Sequence, residues 1–263
     1  MAIYNITSEQ LKGKGVLNSF EISSGGVFSN VYSLALDGAD DRVTMGDVLA
    51  TSNTGADAFS ISCWYKTSQQ GTQMMVARML NTSPFSGYAL NMTSNNLLSF
   101  FLGSFTGNAY ISVRSNNIST HSNGNWHHLA VTYDGSRAAS GVTMYFDNSV
   151  LSTNTIKDVA PNNINAQSPD FMIGRRGNSS SSGLTFNGNL DEVAYFTSEL
   201  TSGNIATIYN SGVPGDISAL NPVGWWRMGD NDGGSGTTVT DQGSGGNNGT
   251  LTNDAVFEED VPS

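Results

Sequence analysis

The 263-residue sequence has one cysteine, Cys63, so no intrachain disulfide can form. Cys63 alternates in phase with Phe59, Ile61 and Tyr65, which makes it a small core hydrophobe rather than a reactive thiol. Charge is scarce: 13% of residues are charged, and 11 Lys and Arg against 22 Asp and Glu give a net charge of −11. No basic run exists, and phosphate contacts need clustered Lys and Arg, so nucleic acid is excluded as a partner. There is no long apolar run. Met1 to Thr7 lacks the basic region and apolar stretch of a signal peptide, and neither export nor membrane insertion is expected. Histidine is rare too, with three in the chain. His127 and His128 are strand neighbours that point to opposite faces, and only His121 could join them, whereas zinc needs three or four converging ligands. All three are expected to pack or hydrogen-bond.

Glycine, serine, asparagine and threonine are plentiful, and they punctuate short apolar runs. Asn125-Trp126-His127-His128-Leu129-Ala130-Val131-Thr132-Tyr133-Asp134-Gly135 is the most informative stretch. Leu129, Val131 and Tyr133 alternate with Ala130 and Thr132, the period of a half-buried strand, and Asp134-Gly135 supplies a turn. A partner strand follows at 142–146. Further strands are expected at 58–66, 74–80, 87–93, 97–102, 109–114, 151–157 and 171–175. Many short strands with Gly, Asn and Ser turns indicate an antiparallel sandwich. Trp126, Leu129, Val131, Tyr133, Phe59, Ile61 and Val193 should be buried. One helix is expected at about 201–210, with Ile205, Ile208 and Tyr209 on one face and Gly212 at its stop. Residues 177–183 read as an exposed, mobile Gly-Asn-Ser loop.

The words Trp126-His127-His128-Leu129-Ala130-Val131-Thr132-Tyr133-Asp134-Gly135 resemble the central hairpin of laminin-G-like, concanavalin A-like jelly rolls. Ser33 to Val43 resembles that family's opening strand and turn, and Gly188 to Phe196 with Tyr209-Asn210-Ser211-Gly212 its late strand and short helix. The resemblance implies an all-β fold: an antiparallel two-sheet jelly-roll β-sandwich with one short helix. It divides the chain into an N-terminal arm (1–30), the jelly roll (31–215) and a C-terminal extension (216–263). The extension carries a Trp strand and a Gly-Thr-Leu strand that precede the opening strand in many relatives, which looks like a circular permutation. It should therefore pack on the sandwich. Thr7 to Gln10 could cap a helical turn in the arm. The arm's apolar side chains suggest contact with a neighbouring copy or a particle shell.

Glycosidases on this fold set two carboxylates about 5–5.5 Å apart for retention. The nearest pair, Asp191-Glu192, should point to opposite faces of a strand, and Glu258-Glu259-Asp260 reads as solvated, so no catalytic residue is assigned and no enzyme is expected. Asp37-Gly38-Ala39-Asp40-Asp41 packs three carboxylates into a turn, which suits calcium, although Asp37 and Asp40 could instead bond their own turn. By resemblance, Asp37 and Asp191 would be the metal ligands. Asp230-Asn231-Asp232-Gly233 starts like an EF-hand loop and fails at Gly234. Trp225 and Trp226 are the ligand-binding candidates: adjacent on a strand, one of them could face a glycan, unless the N-terminal arm covers it. The arrangement also resembles structural proteins of aquatic tailed bacteriophages. The expected function is a non-catalytic virion component, a capsid decoration or fibre part. It would be made in the host cytoplasm, would assemble with itself or with capsid or tail proteins, and would display a lectin-like face to polysaccharide. The alternative is an extracellular carbohydrate-binding module of a bacterial surface protein.

Overall fold

Period-two alternation shapes almost every element in the computed structural model, which describes residues 28–116, 120–177 and 184–263. The expected helical turn at Thr7 to Gln10, and most of the arm and of the 177–183 loop, lie outside those residues. The strands are β1 (Ser33–Asp37), β2 (Arg42–Gly46), β3 (Phe59–Lys66), β4 (Gln73–Met79), β5 (Ser86–Met92), β6 (Leu98–Ser104), β7 (Ala109–Ser115), β8 (Trp126–Tyr133), β9 (Val142–Phe146), β10 (Ser149–Val150), β11 (Thr153–Asp158), β12 (Phe171–Ile173), β13 (Asn187–Phe196), β14 (Gly224–Trp226), β15 (Thr238–Val239), β16 (Gly249–Thr252) and β17 (Val256–Glu258). An eight-stranded antiparallel sheet runs β10-β9-β8-β3-β13-β1-β17, with β14 also on β13; a nine-stranded one runs β11-β7-β6-β5-β4-β12-β2-β16-β15. No helix among the described residues is long and apolar enough to cross a membrane.

The inward side chains of both sheets form one core, in which Phe59 packs on Tyr88, Phe100, Tyr133 and Tyr195. Phe59, Ile61, Leu129, Val131, Tyr133 and Val193 are at most 1% exposed. Burying each contributes about 1.5–3 kcal/mol. Trp126 departs from expectation. It is half-buried at the start of β8, and its indole N–H donates to Asp260 at 3.0 Å. Lys66 also reaches Asp260, at 2.6 Å, and Asn189 donates to Glu258 at 3.3 Å. Glu258 and Glu259 are exposed, as expected of a solvated run, while Asp260 is tied to Lys66 and Trp126.

The C-terminal extension supplies strands to both sheets: β14 pairs with β13, β16 with β2 and β17 with β1. Over the outer side of the eight-stranded sheet lies α1 (Ser202–Tyr209). Thr201 and Asn204 form its capping box, and Asn210, left-handed at φ 44, ends it ahead of the expected Gly212. Ile205 and Ile208 join Ala130, Tyr145, Ala194, Phe196, Leu200, Ile217 and Trp225 in a second apolar cluster under the helix. Tyr209 stacks on Trp64 at 5.6 Å.

Candidate functional site

The carboxylate pair of the sequence sits at an irregularity in β13. One edge of β13 bonds β1 through Leu190 and bonds β14 from Val193 onward. On its other edge, Asp191 faces Trp64 and Ala194 faces Ser62, so β13 carries one residue more than β3. Glu192 has φ 46. This is a β-bulge, which re-aims side chains. Leu190 and Val193 both point into the core, and Asp191 and Glu192 lie between them on the outer side. They do not alternate across the sheet as a regular strand would require.

Neither carboxyl is free. Asp191 is fully buried and accepts from Asn30 Nδ2 at 2.9 Å and from the Glu192 N–H at 2.7 Å. Glu192 accepts from Trp225 Nε1 at 2.5 Å and Arg227 Nε at 2.9 Å. Arg227 also donates to Asp230 at 2.7 Å and to the Ser29 carbonyl at 2.6 Å. Asp230 caps the Val31 and Tyr32 N–H groups, both at 2.9 Å. Burial pushes the Asp191 carboxyl up, with the Glu192 charge adding to it. Burial also raises Glu192 to about 7, against the pull of Arg227 and Trp225. Exclusion of water costs each charge its hydration, and Arg227 and the Trp225 N–H offset part of that cost for Glu192.

Trp225 and Trp226 are placed differently from the sugar-platform expectation. Trp226 is 0% exposed, stacks on Phe171 at 5.3 Å and belongs to the main core. Trp225 is 5% exposed and borders a hollow of about 440 Å³ with Asp216, Gln242 and Asn231. Phe28 lies parallel to Trp225 at 6.2 Å, and the Arg227 guanidinium sits 4.0 Å from the Phe28 ring. Residue 28, at the end of the arm, covers the indole, so neither tryptophan offers a free face.

Asp37 and Asp191 do not form one metal site. Asp37 pairs with Asn187, whereas Asp191 follows Leu190, which pairs with Leu34. The two lie four residues apart along β13, roughly 13 Å at strand rise. Asp37, Asp40 and Asp41 do come together, with ligand atoms within 4.8 Å. Asp37 accepts from the Ala39 N–H at 2.7 Å, and Asp41 from Asp37 at 3.0 Å and Asp254 at 2.9 Å. Much of that oxygen set already satisfies backbone. The histidines hydrogen-bond and pack: His128 to Ser62 Oγ at 2.8 Å, His127 to Asp147 at 2.8 Å, His121 to the Asn96 carbonyl at 2.7 Å. Burial pulls His128 down to about 4.

A site the sequence reading missed lies on the outer side of the nine-stranded sheet. Here the cross-strand rows read Met79-Gly87-Gly103-Tyr110, Ala77-Ala89-Phe101-Ser112 and Asn91-Ser99-Arg114. The floor is of small residues. A Cβ on Gly87 would fall 1.9 Å from the Arg78 carbonyl oxygen and one on Gly103 2.4 Å from that of Ala109. Their φ of +136 and +140 suits glycine alone. Phe105 rises from the β6–β7 turn, stacks on Phe101 at 4.5 Å and stays 45% exposed.

Two adjoining hollows result, sharing Met79. One, of about 100 Å³, is lined by Phe101, Phe105, Asn91, Ser112, Arg114 and Arg176 among others. The other, of about 330 Å³, is lined by Asn81, Thr82, Gln167, Ser168 and Pro169 among others. Aromatic faces beside amides, hydroxyls and guanidinium groups can hold a polar ligand that has one apolar side. No single stretch announces this site, since its residues come from β4 to β7 and the segments around 81, 168 and 176. An aromatic residue standing in a polar turn, Phe105-Thr106-Gly107-Asn108, was the one local signal.

A laminin-G-type family model, described as the Concanavalin A-like lectin/glucanases superfamily, matches residues 37–206. The chain belongs to that superfamily. No curated protein matches its sequence. Among solved structures, this superfamily member is similar to a Bacteroides ovatus protein described as a candidate carbohydrate-binding protein, with TM-score 0.60 and 15% identity over 89% of this chain. The match spans 62% of that protein. It is also similar to the CBM40 of the Ruminococcus gnavus IT-sialidase, with TM-score 0.53 and 11% identity, covering 69% of this chain and 99% of that one. The same module has been solved with α2,3-sialyllactose, TM-score 0.52 at 10% identity. At such identities the likeness is one of fold.

Proposed function

We propose that this chain is a non-catalytic, lectin-like protein that holds carbohydrate in the paired hollows of its nine-stranded sheet. The observation that carries the reading is Phe105: an exposed ring, braced from behind by Phe101, standing over a floor of small side chains and beside Asn91, Ser112 and two arginines. A sugar ring lays its C–H face on such an aromatic and turns its hydroxyls to amides and hydroxyls nearby. The carbohydrate-binding descriptions of the Bacteroides protein and the CBM40 agree with this reading. Catalysis is not part of it. The described residues lining both hollows include no Asp or Glu, and Asp191 and Glu192 are spent on Asn30, Trp225 and Arg227. A glycan array tests the binding. Hits that Phe105→Ala abolishes, with no release of reducing ends from any bound glycan, are expected; hits that survive Phe105→Ala would move the site elsewhere.

The setting we propose is the surface of a tailed-phage particle, supported by the sequence resemblance and by a surface poor in charge. Intact particles should carry the chain through density-gradient purification. Recovery only in a cell-surface fraction would favour the bacterial-module reading instead.

A further inference from the structure

The smaller hollow has a charge that its surroundings leave unanswered. Arg114 and Arg176 both line it, and the Nε atom of each is buried with no hydrogen-bond partner. Among the described residues no carboxylate lies within 4.0 Å of either guanidinium, as is also true of the Arg42 and Arg137 guanidinium groups, whereas Lys66 and Arg78 each have one and Arg227 has two. Arg176 reaches, among the described residues, the Asn81 amide oxygen at 3.3 Å, the Met79 sulfur at 4.0 Å and, at 5.8 Å, the Phe85 ring. Burial accordingly pulls its guanidinium below the usual range. Lys157 adds a third cation on the same side, with its Nζ 5.7 Å from the Tyr110 ring. In a chain with 22 acidic against 11 basic residues, cations gathered without acids are not a product of composition.

Desolvated guanidinium N–H groups are costly when unpaired and strong when an oxyanion meets them, because the fork matches a carboxylate or sulfate in two parallel bonds. A volume of about 100 Å³ takes such a substituent but not a whole sugar ring, which stays at the rim against Phe105, while the adjoining 330 Å³ hollow has room for a further sugar.

Resting on the lectin reading above, we infer that the ligand is an acidic glycan: its anionic substituent is held by Arg114 and Arg176 in the small hollow, the sugar that carries it lies against Phe105 at that hollow's rim, and the next sugar extends past Met79 into the larger one. An array carrying uronate, sulfated and neutral oligosaccharides tests this with the full chain, alongside Arg114→Gln, Arg176→Gln and Arg176→Lys. Hits confined to acidic members are expected, weakened about tenfold by either Gln variant, the size of one charge-assisted contact, and weakened by added salt. Carboxyl reduction of a bound uronate should abolish its binding, and a preference for sulfated members with the same arginine dependence would identify the anion as sulfate. Arg176→Lys should restore part of the affinity through its charge, which a packing role would not do. Unchanged melting curves show that the variants fold; for one that does not, carboxyl reduction on the wild type decides alone. Neutral hits that ignore both arginines yet vanish in Phe105→Ala would overturn the acidic ligand and keep the lectin reading. An array with no hits at all would overturn both.

Discussion

On the outer side of the eight-stranded sheet, Trp64, His128 and Trp225 lie under α1, the C-terminal extension and Phe28. On the outer side of the nine-stranded sheet, the small residues Gly87, Ala89, Gly103 and Ser112 are flanked by Phe105, Arg114 and Arg176, and no described helix or strand packs over them. The covered side holds the chain's most reactive-looking groups, and the carboxyls of Asp191 and Glu192, the Trp225 indole and the Arg227 guanidinium are each taken up by a neighbour. The grooved side looks bland in sequence and keeps unanswered donors. Residue chemistry alone therefore misdirects: what decides is whether another part of the chain has already answered a group.

Four experiments sharpen that contrast. The largest effect is expected from Arg227→Ala, which leaves Glu192 and Asp230 buried without their cation and should cost about 3–5 kcal/mol in denaturant unfolding. A loss below about 1 kcal/mol would mean that the network is wet and the cover loose. Next, Ile205→Ala beneath α1 should cost about 2–4 kcal/mol, whereas Phe105→Ala on the grooved side should stay within about 1 kcal/mol while abolishing glycan binding. Equal costs would erase the difference between the two sides.

The third experiment is a pH series. The folded-state value of Glu192, about 7, lies above its usual 4.5, so its contribution is fully present below about 4.5, fades as pH rises and levels off above about 7. His128 runs the other way. Its folded value of about 4 lies below the usual 6.5, so its contribution is lost as pH falls through that window. Subtracting the pH–stability curve of Glu192→Gln from that of the wild type isolates the first trend. A flat difference between pH 4.5 and 7 would show that Glu192 stays ionised. The smallest effect is calcium's. We propose that it acts at the Asp37–Asp41 turn, where burial, joined by the Asp37 and Asp40 charges, raises Asp41. A rise in Tm of about 2 °C in millimolar calcium is expected, cancelled in Asp40→Asn. Coincident melting curves in calcium and chelator would leave the turn without a cation role.

Alternation and turn chemistry were enough to place β3 and β8 and to find a sandwich, because each strand writes its own burial pattern, while β13 was placed by its resemblance to the family's late strand. The bulge at Asp191 and Glu192 was not legible, since it depends on how many residues β3 sets opposite. Trp225 was legible only as two alternatives, and Phe28 closes one of them. The grooved side was illegible for a further reason. Its floor is made of residues whose contribution is to be small, and its functional groups converge from strands far apart in the chain.

The pairing of β1 with β17 has a mechanical consequence. Ser33 opposes Glu258 and Ala35 opposes Val256, so the rung nearest both flanking segments is Ser33–Glu258. Tension applied through those segments first meets the anchors outside that rung, Ser29 on Arg227, Asn30 on Asp191, Val31 and Tyr32 on Asp230, and Asp260 on Lys66 and Trp126, and only then travels inward one rung at a time. The antiparallel pair peels like a zip and does not resist in shear, so resistance to a pull from both flanks rests on those outer anchors rather than on the strand pair. Held by one flank, it transmits the same load without opening that seam.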